Sequence, residues 1–159
     1  MSEQPLYEVY YHSEIGLIHI TGTEEGVASL HFIDKEAPPE NTEVPECLAD
    51  CVQQIDEYFN DNRKTFSLKL APEGTYFQKK VWEQLLAIPH GKTTSYGEIA
   101  TGLGDKNAMR AVGSANGRNP ISIIVPCHRV IGSNGKLIGY GGGLWRKEWL
   151  LKHEGSILI

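Results

Sequence analysis

The segment Asn119-Pro120-Ile121-Ser122-Ile123-Ile124-Val125-Pro126-Cys127-His128-Arg129-Val130 carries the residues best suited to covalent chemistry. A short apolar run drives into the core, Pro126 stops it, and the residue that leaves it is a cysteine, followed at once by a histidine and an arginine. A thiol emerging from rigid surroundings into an electropositive setting is expected to favour the thiolate, a strong and soft nucleophile. His128 can act as its base, directly or through one water, and a carboxylate can orient the imidazole in turn. Glu154 is the natural candidate for that orienting role. A Cys-His pair also fits an inert thiol, because free cysteines are among the most buried residues.

The elements that must position these groups follow from capping chemistry and periodicity. Thr75 with Gln78 makes a capping box, and Phe77, Val81, Trp82, Leu85 and Leu86 form the buried stripe of the helix behind it, which Pro89 and Gly91 end. Ser95 with Glu98 predicts a second box and a short helix through Leu103. Gly104-Asp105-Lys106 then breaks the chain, and Asn107 is expected to cap a further helix to about Asn116. Helix, three-residue turn, helix is helix-turn-helix geometry, a motif shared by DNA-binding proteins and by many that never meet DNA. The second helix reads Ala108-Met109-Arg110-Ala111-Val112-Gly113-Ser114-Ala115, small side chains with one long cation near its start. Such a helix can approach another surface closely, phosphates favour its N-terminus, and the flat guanidinium of Arg110 can fill a gap in a base stack. Close packing against its neighbour, with Arg110 a solvated charge, accounts for the same residues.

The first half reads as a β-meander and a covering helix. Leu6 to His12, Leu17 to Thr23 and Val27 to Ile33 are strand-like and separated by Glu14-Ile15-Gly16 and Glu24-Glu25-Gly26 turns. After an Ala37-Pro38-Pro39 linker, Leu48, Cys51, Val52, Ile55, Tyr58 and Phe59 recur at helical spacing and predict a helix from about 46 to 60. Thr65 to Leu70 is expected to add a strand, and Ala71-Pro72-Glu73-Gly74 marks the boundary between halves. The expected class is therefore α/β (α+β): residues 1–74 a small antiparallel sheet with its helix, residues 75–159 a mainly helical domain containing a helix-turn-helix.

Charge separates the two halves more sharply than the total of −5 over 159 residues suggests. Residues 1 to 75 hold 4 Lys+Arg against 15 Asp+Glu, and residues 76 to 159 hold 11 against 5. The basic half suits a polyanion, and the acidic half is expected to face away from it. Composition is that of an ordinary globular protein, 40% hydrophobic and 22% charged, with room for one substantial core or two small ones. The N-terminal residues lack a signal-peptide pattern and no apolar run approaches the roughly 20 residues that span a bilayer, so a cytoplasmic protein without a membrane partner is expected. Three cysteines, Cys47, Cys51 and Cys127, do not form a disulfide framework. Cys47 and Cys51 are four apart, unlike the ligand pairs of zinc sites, so both are expected to be reduced helix thiols and no metal is expected.

At this point the residues become recognisable. Pro126-Cys127-His128-Arg129-Val130, with Asn119 eight residues before the cysteine and Glu154 twenty-seven after it, closely resembles the O6-alkylguanine-DNA alkyltransferases. The likeness extends over roughly residues 75 to 155 and includes Ser95-Tyr96-Gly97, Arg110-Ala111-Val112-Gly113 and Gly139-Tyr140-Gly141-Gly142 in the family's order. Residues 1 to 74 resemble the family only in layout. The resemblance implies repair by direct reversal: O6-alkylguanine is flipped out of double-stranded DNA and its alkyl group passes irreversibly to the protein, once per molecule. It further implies that Cys127 is the acceptor, His128 its base through a water, Glu154 the orienter and Asn119 a brace for the segment. Arg110 would enter the duplex as a finger, Tyr96 would assist extrusion and hydrogen-bond the guanine, and Tyr140, Gly141 and Val130 would line the pocket.

Base extrusion costs a few kcal/mol and is least costly for a weakly paired, damaged base. A thioether product has no easy hydrolytic exit, so no cofactor is expected, the DNA itself donating the alkyl group. O4-alkylthymine is a further candidate substrate, and the protein is expected to act as a monomer, with cooperative binding along DNA left open. Related alkyltransferase-like proteins carry Trp in place of the cysteine and only bind lesions, which makes a damage-marking DNA-binding protein the alternative. A cysteine hydrolase acting on acyl substrates is a third reading. Gly141 lies where other family members carry a side chain, which keeps a backbone N–H but alters pocket width.

Overall fold

Alternation of β-branched and aromatic residues produces a three-stranded antiparallel sheet in the order β1 (Tyr7–Ser13), β2 (Gly16–Thr23) and β3 (Gly26–Ile33). The computed structural model describes residues 5–34, 43–132, 135, 137 and 139–156, and the chain divides into two compact units, Met1–Glu73 and Gly74–Ile159. The Ala37-Pro38-Pro39 linker lies outside the described residues. Pairing of Val9 with Ile20 and of Ile20 with Leu30 aligns a buried apolar row across all three strands. Helix α1 (Glu46–Phe59) packs on this sheet through Leu48, Cys51, Ile55, Tyr58 and Phe59. Burial of each of the larger of these side chains is worth about 1.5–3 kcal/mol, which is what holds so small a unit together. Gly26, at φ 147°, approaches the backbone so closely that a Cβ there would lie 2.6 Å from the Lys69 carbonyl oxygen.

The expected strand over Thr65 to Leu70 does not form. Only Leu70 makes a parallel bridge, to Val27. The reason lies in the backbone accounting: the Ser67 N–H donates to the Gln54 side chain at 2.9 Å and its carbonyl accepts from Gln54 at 3.1 Å, while Arg63 donates to the Thr65 carbonyl at 2.8 Å. Side chains have taken the groups that a ladder would use.

The second unit holds α2 (Tyr76–Leu86), α3 (Tyr96–Gly102), α4 (Met109–Gly117), a 3-10 turn (Cys127–Arg129) and α5 (Leu144–His153). The Thr75-Gln78 capping box opens α2. The second box is only half made: Ser95 accepts from the Glu98 N–H, but the Glu98 carboxylate accepts instead from the Thr94 hydroxyl at 2.6 Å. The turn between α3 and α4 is longer than the expected three residues, because α3 ends at Gly102 and α4 starts at Met109. Asn107 does not cap α4; its N–H donates to the Asp105 carboxylate at 3.0 Å, a local turn that competes with the helix start. The mixed α/β class is as expected, with five α-helices and three strands among the described residues. Trp82 donates its indole N–H to the Ala115 carbonyl at 2.9 Å and so locks α2 to α4.

Candidate active site

Residues 119–126 form a tight, largely buried path rather than an element of regular structure, and Asn119 holds its shape. The Asn119 amide donates to the Val125 carbonyl at 2.7 Å and the Ile121 carbonyl at 3.3 Å, and its oxygen accepts from the Ile121 N–H at 3.0 Å. One side chain thus ties three backbone groups together in a region without a sheet or helix ladder, adding to the bonds by which the Ile121 carbonyl accepts from the Val125 N–H and the Val125 carbonyl from the Cys127 N–H. Beyond it the 3-10 turn carries Cys127, His128 and Arg129, and parallel bridging of Val130 to Thr94 fixes the turn's far end through Thr94 N–H to Arg129 carbonyl and Ile131 N–H to Thr94 carbonyl bonds of 2.9 Å.

The turn meets the C-terminal end of α5 at Glu154, whose carboxylate is buried. It lies 2.8 Å from His128 Nε2, accepts from Arg129 Nε at 2.8 Å and from Arg129 Nη2 at 3.1 Å. Arg129 Nη1 donates to the Ile88 carbonyl at 2.7 Å, tying the cluster to the end of α2. Burial alone would raise the Glu154 carboxyl, but His128 and Arg129 outweigh it and hold the group well below the usual carboxylate range. His128 is fully buried, and that burial, partly opposed by Glu154, lowers it from 6.5 and keeps it neutral. With Nε2 against a carboxylate, the proton belongs on Nε2 and the lone pair on Nδ1, which is buried and has no partner among the described residues.

The Cys127 sulfur departs from expectation. Only 7% of the residue is exposed, and burial raises the thiol despite the Asn119 amide and the nearby Lys147 cation, which both pull it down. The resting site therefore holds a thiol and not the ready thiolate that the electropositive sequence context predicts. Desolvation is the term that sequence neighbours do not reveal.

Two aromatic hydroxyls stand within electrostatic reach of Cys127. Tyr96, at the start of α3, lays its ring over Gly113 of α4, with the Asn116 amide at its hydroxyl and burial raising it. Tyr140 is half-buried and has its hydroxyl enclosed near Ser122 and Arg146, burial raising it well above the usual phenol value. Gly141 is exposed, and a Cβ there would meet open space. Val130 is buried, and its carbonyl accepts from Lys147 Nζ at 2.6 Å. Arg110 is exposed in the first turn of α4, on a helix face that continues through Ala111, Ser114 and Gly117, all small and exposed. Among the described residues no hydrogen bond or ion pair joins it to Cys127, His128 or Glu154.

Two members of the cluster, Arg129 as the clamp on Glu154 and Lys147 as a buried cation, were not singled out from sequence. A signal for Lys147 exists: Lys147, Leu150, Leu151 and Glu154 recur at i, i+3, i+4 and i+7, so the inward stripe of α5 begins and ends on a charge.

The cluster has a consequence in acid. Unfolding exposes a histidine that binds a proton near pH 6.5, whereas the folded chain refuses it, so stability falls from pH 6.5 downward; below about pH 4.5 the unfolded Glu154 binds a second proton and the fall steepens. Each group costs about 1.4 kcal/mol per pH unit within its window. Melting curves from pH 7 to pH 4 are expected to show a steadily falling Tm, and His128→Gln to flatten the limb above pH 4.5. A Tm constant between pH 6.5 and 5 overturns the assignment of a neutral, buried His128.

Comparison with known proteins gives a consistent picture. Residues 76–156 match the DNA binding domain, and residues 6–72 the ribonuclease-like domain, of the 6-O-methylguanine DNA methyltransferase family models. The chain is 51% identical over 155 residues to a methylated-DNA–protein-cysteine methyltransferase of Methanosarcina acetivorans, covering 95% of this chain and 99% of that relative. It resembles the crystal structure of the Mycobacterium tuberculosis O6-methylguanine methyltransferase at TM-score 0.85 and 44% identity, covering 96% of this chain and 94% of the other. The M. tuberculosis OGT in complex with DNA is similar at TM-score 0.83 and 46% identity, covering 92% and 91%.

Proposed function

Because the chain belongs to the O6-methylguanine DNA methyltransferase family, whose work is to repair alkylated DNA by moving the alkyl group onto a protein cysteine, we propose that Cys127 is the acceptor and that His128, Glu154 and Asn119 prepare it. The observation that carries this reading is the buried His128–Glu154 pair, in which Nε2 is engaged by the carboxylate and Nδ1 is left open as a base, next to the buried Cys127 of the same 3-10 turn. The thiol proton passes to Nδ1, relayed by one water. The imidazolium so formed is stabilised at once by the ionised Glu154, which Arg129 holds in place. The sulfur then attacks the alkyl carbon; the S–C bond forms as the C–O6 bond breaks, and the electron pair leaves with the guanine. Hydrogen bonds from Tyr96 meet the charge that develops on the departing base. The product is a thioether, which has no easy hydrolytic exit, so each molecule acts once.

Duplex DNA is the partner that the basic unit fits, with 11 Lys+Arg against 5 Asp+Glu in residues 76 to 159. The exposed small-residue face of α4 lets a helix come close to the duplex, and Arg110 occupies the gap that the extruded nucleotide leaves. Tyr140, Gly141 and Val130 bound the pocket around the base; the open space at Gly141 gives this chain a wider pocket than a side chain at that position allows. The acidic residues of the first unit are proposed to keep away from the phosphates.

Intact mass tests this directly. Mixed with an equimolar duplex carrying one O6-methylguanine, the protein is expected to gain one methyl group, to stop after one equivalent, and to yield the methyl on the peptide containing Cys127. The other thiols are poor competitors, Cys51 being pushed up to about 12 by burial. An unchanged mass beside lesion-specific binding overturns the assignment.

A further inference from the structure

Asn116 lies in the last turn of α4 with only 5% of the residue exposed. Its side-chain amide nitrogen stands at the Tyr96 hydroxyl, and the Tyr96 ring rests over Gly113, one turn earlier on the same face of the helix. The amide oxygen, Oδ1, is buried and has no partner among the described residues. The backbone holds this position on both sides: the Ala115 carbonyl accepts from Trp82 at 2.9 Å, and the Asn116 carbonyl accepts from the Asn119 N–H at 3.3 Å. A buried acceptor without a partner destabilises a fold, and an apolar side chain of the same size would not. Asn116 therefore has a polar role that outweighs this loss.

A phenol hydroxyl carries one hydrogen and two lone pairs, whereas an amide nitrogen only donates. The bond between them thus has one direction: Tyr96 accepts from Asn116 and keeps its own hydrogen for another group, and the bond it receives makes that hydrogen a better donor. Turned the other way, the amide would hold the Tyr96 proton on Oδ1 and leave the hydroxyl nothing to give a base. Resting on the alkyl-transfer reading, we infer that Asn116 is a positioning residue of this site: it commits the Tyr96 hydroxyl to donate to the departing guanine and so governs how readily that base leaves. The side chains that act on the Cys127 sulfur are Asn119 and Lys147, so Asn116 bears on the leaving group and not on the nucleophile.

Asn116→Leu, close in size and without hydrogen bonds, tests this in the full-length protein. Single-turnover methyl transfer from an O6-methylguanine duplex is expected to slow about tenfold, the effect of one well-placed hydrogen bond. Iodoacetamide, followed at the Cys127 peptide by mass, is expected to react at the wild-type rate, because no base departs in that reaction. Tyr96→Phe removes the donor itself and is expected to slow transfer about a hundredfold; adding Asn116→Leu to it is expected to change nothing further. An additive loss in the double variant, an equal slowing of iodoacetamide, or an unslowed transfer in Asn116→Leu each makes Asn116 a packing residue and overturns the proposal. Should Leu disturb the fold, as circular dichroism would show, Asn116→Ala, which only removes atoms, carries the same expectations and the same refutations. In NMR spectra the Cζ resonance of Tyr96, assigned by its loss in Tyr96→Phe, is expected to move in Asn116→Leu, and one that stays in place overturns the contact. A wild-type protein that takes no methyl from DNA sinks the alkyl-transfer reading, while this resonance still decides whether Asn116 directs Tyr96.

Discussion

Cys127→Ser is expected to bind an O6-methylguanine duplex within about twofold of the wild type and to take up no methyl, a loss on the order of 10⁴-fold or more in single-turnover rate. The oxygen is close to the sulfur in shape, so the hydrogen bonds that fix the 119–130 path survive, Asn119 holding Val125 and Ile121 whatever stands at 127. What changes is the nucleophile. A serine hydroxyl is far less acidic than a thiol, and a neutral imidazole takes its proton poorly; the alkoxide, once made, is also a harder nucleophile toward an alkyl carbon. Burial makes this worse, because the site already raises the thiol and penalises any anion more compact than a thiolate. Fluorescence titration with lesion and plain duplexes reads binding, and intact mass reads transfer. A serine variant that is methylated at even a hundredth of the wild-type rate moves the acceptor elsewhere.

Glu154→Ala is expected to have the largest effect on the fold. It removes the partner of a buried guanidinium and of a buried imidazole together. Leaving one charge of a buried pair without its counter-ion costs about 3–5 kcal/mol, enough to lower Tm by more than ten degrees in a unit of this size. The rate of transfer falls separately, by about 10²-fold or more, because the imidazolium formed at Nδ1 loses its counter-charge and the ring loses its orientation. The two losses can be told apart with a double variant. Glu154→Gln with Arg129→Met takes both charges out, so stability is expected to recover by at least half while transfer stays slow. Urea denaturation and single-turnover mass measurements on the wild type, Glu154→Gln, Arg129→Met and the double variant complete the cycle. Recovery of both properties in the double variant makes Glu154 a structural residue only.

The sequence exposes this site unevenly, and the unevenness has physical causes. Cys127, His128 and Glu154 stand out because their chemistry is rare in combination and their neighbours, Pro126 and the apolar run, announce a rigid setting. The three strands and α1 are legible because periods of 2 and 3.6 translate directly into faces. Arg129 gives no such sign: its partner is 25 residues away in the chain, and only the docking of α5 brings them together. The state of the thiol is hidden for the same reason, since flanking cations are visible in the sequence but the desolvation that outweighs them is not. Gln54 illustrates the point away from the site. Nothing in the run Thr65 to Leu70 says that a side chain 13 residues earlier has taken the Ser67 N–H and carbonyl, and a plausible strand is lost to one amide.

The Glu154 clamp also dictates when the protein becomes competent during its own folding. Its bonds join groups 25 and 26 residues apart, and Arg129 reaches a carbonyl 41 residues back, so every contact of the cluster is non-local. Loops of that length close only after nearer contacts have formed, and closing them costs chain entropy that short-range helices do not. On the ribosome the cysteine emerges well before α5 does. A nascent chain therefore carries its nucleophile for more than 25 residues of synthesis without the carboxylate that would activate it.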